Sequence, residues 1–187
     1  MEQIIIVVAV LPLISASLIQ IFAGRIGRGI ARFSVAITTL SFLLAVLLLS
    51  FSLAGHGPQT LTLGNSTAIM LFDPLSTLLA TVILGISLIV HIYSVRYMAE
   101  EDAYGQFFVL LDLMTGALLF MVIAGDLITL VIAWYLVGVL LYFLLGHDTR
   151  SQTAYRFAFW TLITYRIGDI PLIIAAALLY NAYDTWS

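Results

Sequence analysis

The chain has 187 residues, of which 63% are hydrophobic and 9% charged, with a net charge of -3. A soluble domain of this size has too little interior to hide that much apolar surface, so the composition places the chain in a membrane. It contains no cysteine, which excludes disulfides and iron–sulfur ligation.

In lipid every backbone polar group must be satisfied within the chain, so spanning segments are helices or a closed barrel. The apolar stretches run about 20 residues without strict alternation, which selects helices. The N-terminus carries Glu2 in place of a basic region, so the first apolar stretch reads as a retained helix, not a signal peptide. It covers about Ile4–Ala23. The second helix covers about Ile30–Ala54. An uncharged segment rich in Gly, Thr and Ser, Gly55–Leu71, reads as a loop. Asp73-Pro74 opens the third helix, about Pro74–Val95, because Asp is a good N-cap and Pro suits the first helical position. After a hydrophilic loop, Arg96–Gly105, the fourth helix covers about Gln106–Ala124. Gly125-Asp126 reads as a tight hairpin into the fifth, about Leu127–Leu145. A loop with His147, Asp148 and Arg150 leads to the sixth, about Ala154–Tyr180. The expected architecture is an all-α, polytopic transmembrane bundle forming one domain over residues 1–187.

All seven basic residues are arginines, and six of them fall in alternate loops. By the positive-inside rule those loops face the cytoplasm and both termini face the periplasm of a bacterial inner membrane. The sequence lacks a nucleotide-binding fingerprint, a metal-binding HExxH and a basic patch interleaved with aromatics. No catalytic, cofactor or metal site is expected, and no nucleic-acid partner.

The charges inside the apolar stretches are the functional candidates. Arg166 and Asp169 lie mid-helix at i,i+3, close enough to pair. A lone charge at that depth costs about 2.5–3.5 kcal/mol on insertion scales, so a pair is expected, either a static lock or part of an ion relay. Gly168 and Pro171 flank it and should loosen or kink the helix. Asp112 reads as a neutral acid bonded to Thr115 or to a backbone carbonyl, or as a third partner for Arg166. His91 reads as an interfacial residue near the cytoplasmic end of the third helix; an imidazole there also suits proton exchange near neutral pH. Tyr135, Gly138 and Tyr142 share one face of the fifth helix. Tyr135 reads as a packing aromatic, since a phenol ionises only near pH ~10 and stores protons poorly at neutrality.

Several segments in order carry a resemblance: Phe72-Asp73-Pro74-Leu75-Ser76, then His91-Ile92-Tyr93-Ser94-Val95-Arg96-Tyr97-Met98 and Gly105-Gln106-Phe107-Phe108. They are followed by the Trp134 region, Leu144-Leu145-Gly146, Tyr165-Arg166-Ile167-Gly168-Asp169 and Leu178-Leu179-Tyr180-Asn181. Together they resemble the proton-pumping subunit L of NADH–quinone oxidoreductase and the large antiporter-like subunit of multisubunit (Mrp) cation/proton antiporters. That family includes the membrane subunit of inorganic-carbon uptake complexes. The resemblance implies a membrane subunit of a proton- or cation-coupled complex and carries over to Arg166 and Asp169 by position; with Asp112, Tyr135 and His91, read from the residues themselves, they are the ion-pathway candidates. It implies, as a second reading, coupling to a large cytoplasmic partner resembling a zinc carbonic anhydrase, and as a third a structural membrane anchor. Where the family typically has glutamate after the helix-five Trp, this chain has Tyr135. Family members are longer and carry a broken helix with a lysine. No lysine occurs here, so other membrane subunits are expected to supply those parts.

Overall fold

The computed structural model describes residues 2–26, 29–54, 59–62, 69–101, 103–147 and 152–183. Six helices follow in order: α1 (Glu2–Ile26), α2 (Gly29–Leu53), α3 (Pro74–Tyr97), α4 (Tyr104–Ile123), α5 (Leu127–Leu145) and α6 (Gln152–Tyr183). Helices α2 to α6 are long and apolar enough to cross a membrane; in α1 the apolar stretch is Ile6–Phe22. The chain is a multi-pass membrane protein.

Local chemistry sets several ends. At the start of α3 the Asp73 carboxylate accepts from the Ser76 N–H at 2.8 Å, and the Ser76 hydroxyl accepts from the Asp73 N–H at 3.0 Å. This reciprocal capping box, with Pro74 in the first turn, satisfies donors that would otherwise be orphaned. The Ser76 backbone N–H, followed by its hydroxyl, holds the Asp73 carboxyl below the ordinary carboxylate range. Asp126 caps α5 in a similar way, accepting from Thr129 N–H at 2.8 Å. This turns the chain between α4 and α5 within a few residues.

The segment expected to be only a loop contains a two-stranded antiparallel ribbon, β1 (Gln59–Thr62) on β2 (Ile69–Phe72). The residues from Gly55 to Pro58 and from Leu63 to Ala68 lie outside the described ones, as do Asp148 and Arg150 of the loop before α6. The ribbon is tied to the bundle by a bridge between Met70 and Ala124. Met70 and Phe72 are buried with Val8, Ala45, Leu84 and Leu119. That burial, rather than local propensity, explains a strand pair in a Thr- and Gly-rich segment.

Helices α1, α2, α3 and α4 close into a ring, each packed on the next and α4 back on α1. From α4 the chain extends sideways, α5 packing on α4 and α6 on α5. The interfaces are lined by small residues. Ala31, Ala117 and Ser41 are buried, while Leu43, Ile86, Ile89 and Ile132 point outward. This is the pattern expected where lipid solvates apolar side chains and close backbone approach supplies the packing. At one such approach a Cβ on Gly116 of α4 would run into the Leu13 side chain of α1, so glycine is what lets the two helices meet. Helix α6 runs unbroken through Gly168 and Pro171. Pro171 lacks an N–H, so the turn before it loses one rung of the ladder without ending the helix.

Candidate functional site

Two groups of charged side chains lie within the helices. The first joins α5 to α6. Arg166 and Asp169 pair at i,i+3, Nη1 to Oδ2, at 3.1 Å. Asp169 is held from α5 by Trp134, whose indole N–H donates to Oδ1 at 2.8 Å. Arg166 reaches across to α5: its guanidinium lies 3.7 Å from the centroid of the Tyr135 ring, and Nη2 donates to the Tyr135 carbonyl at 3.3 Å. Gly138 makes room for it, since a Cβ there would stand 2.6 Å from Nη2. The aromatic at position 135 is therefore a platform for a cation, through the negative face of its ring.

This site is incompletely satisfied. The Arg166–Asp169 contact is close but misaligned as a hydrogen bond. Arg166 Nε and Nη1 and Asp169 Oδ2 have no hydrogen-bond partner among the described residues, although each is shielded. Such groups are costly when they stay unpaired at membrane depth. They lie on the least enclosed part of the molecule, where Ile167, Ile170 and Ile174 of α6 and Ile132 of α5 face outward.

The second group lies inside the α1–α4 ring. His91 of α3 and Asp112 of α4 are both 0% exposed, with Nε2 and Oδ1 3.0 Å apart. Ser15 of α1 donates to Asp112 Oδ2 at 2.7 Å. Ser34 of α2 lies 3.0 Å from both carboxylate oxygens. His91 Nδ1 is 2.7 Å from the Ser87 carbonyl. Behind it the Ser87 and Thr115 hydroxyls are 2.7 Å apart, and Thr115 donates to the Leu111 carbonyl at 2.9 Å.

Two expectations are corrected here. His91 does not open to the surface at the end of the third helix: it is sealed in the ring, beside the Phe108 ring. Asp112 pairs with His91, neither resting on Thr115 nor joining Arg166. The reason is geometric, since Asp112 faces the ring interior and Arg166 lies on α6, which packs on α5. Of the five candidate residues, the structure brings together Tyr135, Arg166 and Asp169 in one group and His91 and Asp112 in the other. Ser15 and Ser34 join these groups without having stood out in the sequence, and Trp134, a landmark there, proves to bind Asp169. The i,i+4,i+7 runs Ser34-Thr38-Ser41 and Ser87-His91-Ser94 are the available signal, each marking a buried polar face on an apolar helix.

The family model for the N-terminus of NADH-ubiquinone oxidoreductase (complex I) chain 5 matches residues 62–108. The transmembrane model for NADH:quinone oxidoreductase/Mrp antiporters matches residues 124–187. The chain is 51% identical, over 94% of its length, to a probable inorganic carbon transporter subunit DabB1 of Halothiobacillus neapolitanus, and covers 32% of that protein. It is 30% identical over 63% of its length to NADH-quinone oxidoreductase subunit L of Buchnera aphidicola, covering 19% of it. The chain thus spans a third or less of the length of these relatives. The fold matches a chain of the membrane-bound sulfane sulfur reductase, an archaeal respiratory membrane complex, with TM-score 0.88 at 20% identity, over 98% of this chain and 38% of that one. It matches the Mrp complex from a Dietzia species with TM-score 0.79 at 22% identity, over 97% and 20%. With the two family models matching in chain order over α3 and over α5 and α6, this chain belongs to the antiporter-like membrane subunits shared by NADH:quinone oxidoreductases and Mrp antiporters.

Proposed function

We propose that the chain forms part of the ion-coupling module of a multisubunit membrane complex, with Arg166 and Asp169 at its working face. The observation that carries this is the outlying, half-satisfied charge pair between α5 and α6. A pair serving only to lock two helices would be expected to satisfy its own donors and acceptors. Here Nη1 and Oδ2 meet only as a 3.1 Å ion contact and Nε has no acceptor; all three atoms are shielded within the six helices, so other membrane segments of the assembly, or water in a proton path, would reach them as the α5–α6 contact opens. The Tyr135 ring holds the guanidinium in place. His91 and Asp112 lie off this face.

Among the complexes that use such subunits, inorganic-carbon uptake is favoured by the 51% identity that extends along nearly the whole chain. In that reading an ion gradient acting on the α5–α6 face is coupled to a large cytoplasmic zinc protein that makes bicarbonate. The arginine-bearing loops face the cytoplasm of a bacterial inner membrane, and α1 begins and α6 ends on the periplasmic side.

The complex, extracted from native membranes in mild detergent, tests this. A zinc-containing cytoplasmic partner co-purifying, together with uptake of labelled inorganic carbon that collapses with a protonophore and in Arg166→Gln, is the expected result. Flavin and iron–sulfur subunits in its place would assign the chain to a respiratory complex. Uptake unaffected by Arg166→Gln would remove the pair from the ion path.

A further inference from the structure

The His91–Asp112 group is closed in a way the α5–α6 pair is not, and its hydrogen bonds fix where protons must be. A carbonyl oxygen only accepts, so His91 Nδ1, 2.7 Å from the Ser87 carbonyl, must be the donor. A neutral imidazole has one N–H, and this contact uses it. Nε2, 3.0 Å from Asp112 Oδ1, is then a bare lone pair unless a further proton is present. Asp112 is also an acceptor in its ionised form, taking the Ser15 hydroxyl at 2.7 Å and the Ser34 hydroxyl at 3.0 Å. Without a further proton two acceptors would face each other at hydrogen-bond distance, both fully buried.

We propose that His91 and Asp112 form a one-proton binding site at the junction of α1, α2, α3 and α4, with the proton held between Nε2 and Oδ1. The ligand is the proton itself, and each helix of the ring contributes a contact. Ser15 comes from α1, Ser34 from α2, Ser87 from α3, and from α4 the Phe108 ring, with Thr115 behind Ser87. None of these carries a charge. When the proton leaves, an imidazole that keeps its N–H on Nδ1 faces the carboxylate lone pair to lone pair, so it must shift that N–H to Nε2, leaving Nδ1 to accept from the Ser87 hydroxyl at 3.2 Å, or α3 and α4 must part or admit water. Loss of the proton therefore forces a rearrangement at the α3–α4 contact, by tautomer shift or by opening. The site stands apart from the reading of Arg166 and Asp169, because its test measures protonation and not transport.

The chain, in lipid bilayers with ¹⁵N-labelled histidine, is examined by solid-state NMR at neutral pH, alongside infrared spectra of its carboxyl groups. The sequence has three histidines, so a His56→Gln/His147→Gln variant leaves the His91 signals alone and assigns them. The expected result is a protonated Nδ1 plus one more proton, seen as a second ring N–H or as a carboxylic-acid band that is lost in Asp112→Asn. Asp112→Asn should keep Nδ1–H and lose the extra proton. If that variant does not fold, the parent spectrum decides alone. A bare Nδ1 overturns the proposal, and so does a single N–H at Nδ1 with no carboxylic-acid band.

Discussion

Gly138→Ala separates the geometry of the α5–α6 site from the stability of the fold. The added methyl would stand 2.6 Å from Arg166 Nη2, whereas its next neighbours, Tyr165 Cδ1 and Cβ, are at 3.6 and 3.7 Å, ordinary contact distances. The backbone and Tyr165 need not move; the tip of one flexible side chain must. To restore contact at about 3.4 Å the guanidinium has to retreat by about 0.8 Å. It then gives up its bond to the Tyr135 carbonyl, already at 3.3 Å, and part of its contact with the Tyr135 ring. A cation–π contact is worth about 0.5–2 kcal/mol and a hydrogen bond from a charged group about 1.5–3, and only part of each is lost. We expect about 1–3 kcal/mol less anchoring of Arg166, with the helices still formed. The assay is ion-coupled transport by the assembled complex in proteoliposomes, read beside thermal unfolding in the same detergent. Transport should fall by roughly tenfold, since about 1.4 kcal/mol is a factor of ten, while assembly persists. Gly138→Ala with wild-type transport, where Arg166→Gln abolishes it, would refute the claim that the position of the guanidinium on Tyr135 matters.

Other outcomes follow from the same contacts. Asp169→Asn or Arg166→Gln alone strands a charge and should cost about 3–5 kcal/mol of assembly stability, whereas the double variant should assemble better than either single; equal loss in all three would show that the two are not partners. Tyr135→Phe keeps the ring beneath Arg166 and should retain most transport, while Tyr135→Leu should not; equal loss in both would make the hydroxyl the working group. Asp73→Ala removes the α3 cap and should destabilise by about 0.5–2 kcal/mol in unfolding measurements. Because the folded Asp73 carboxyl is held below its ordinary value of 3.8, its contribution is complete above that value and lost as pH falls below it. An Asp73→Ala penalty that persists undiminished at lower pH would contradict this. Cysteines at Ser66 and Ser151, both outside the described residues, should react with an impermeant reagent from opposite sides of the membrane; labelling from one side would reverse the topology argument.

The helices are legible in the sequence because lipid leaves a long apolar signature, and α5 keeps the ends expected for it because Asp126 caps one and Gly146 follows the other. The pairing of Arg166 with Asp169 is legible because it is local to one helix. The partners of the other acids are not. Asp112 and His91 lie 21 residues apart on different helices, and only the closure of the ring brings them together. Trp134 sits 35 residues from the carboxylate it binds, and nothing in the sequence links the two. The β-ribbon is hidden for a similar reason, since its strands are four residues each and are held by burial against the bundle.

Helix α6 carries its own measure of the bilayer. At 1.5 Å per residue its 32 residues extend about 48 Å, against a hydrocarbon thickness of about 30 Å. Tilt alone would not bury such a length, so its ends project into the headgroup layers. Trp160 and Tyr180, both outward-facing, are separated by 20 steps along the helix, about 30 Å. That is the spacing of the two aromatic girdles that mark where hydrocarbon meets water. Counted from Trp160, Arg166 lies about 9 Å deep and Asp169 about 13.5 Å, close to the centre of the membrane. With Trp160 and Tyr180 at those girdles, the carboxylate held by Trp134 would sit about as far from either aqueous phase as this helix allows.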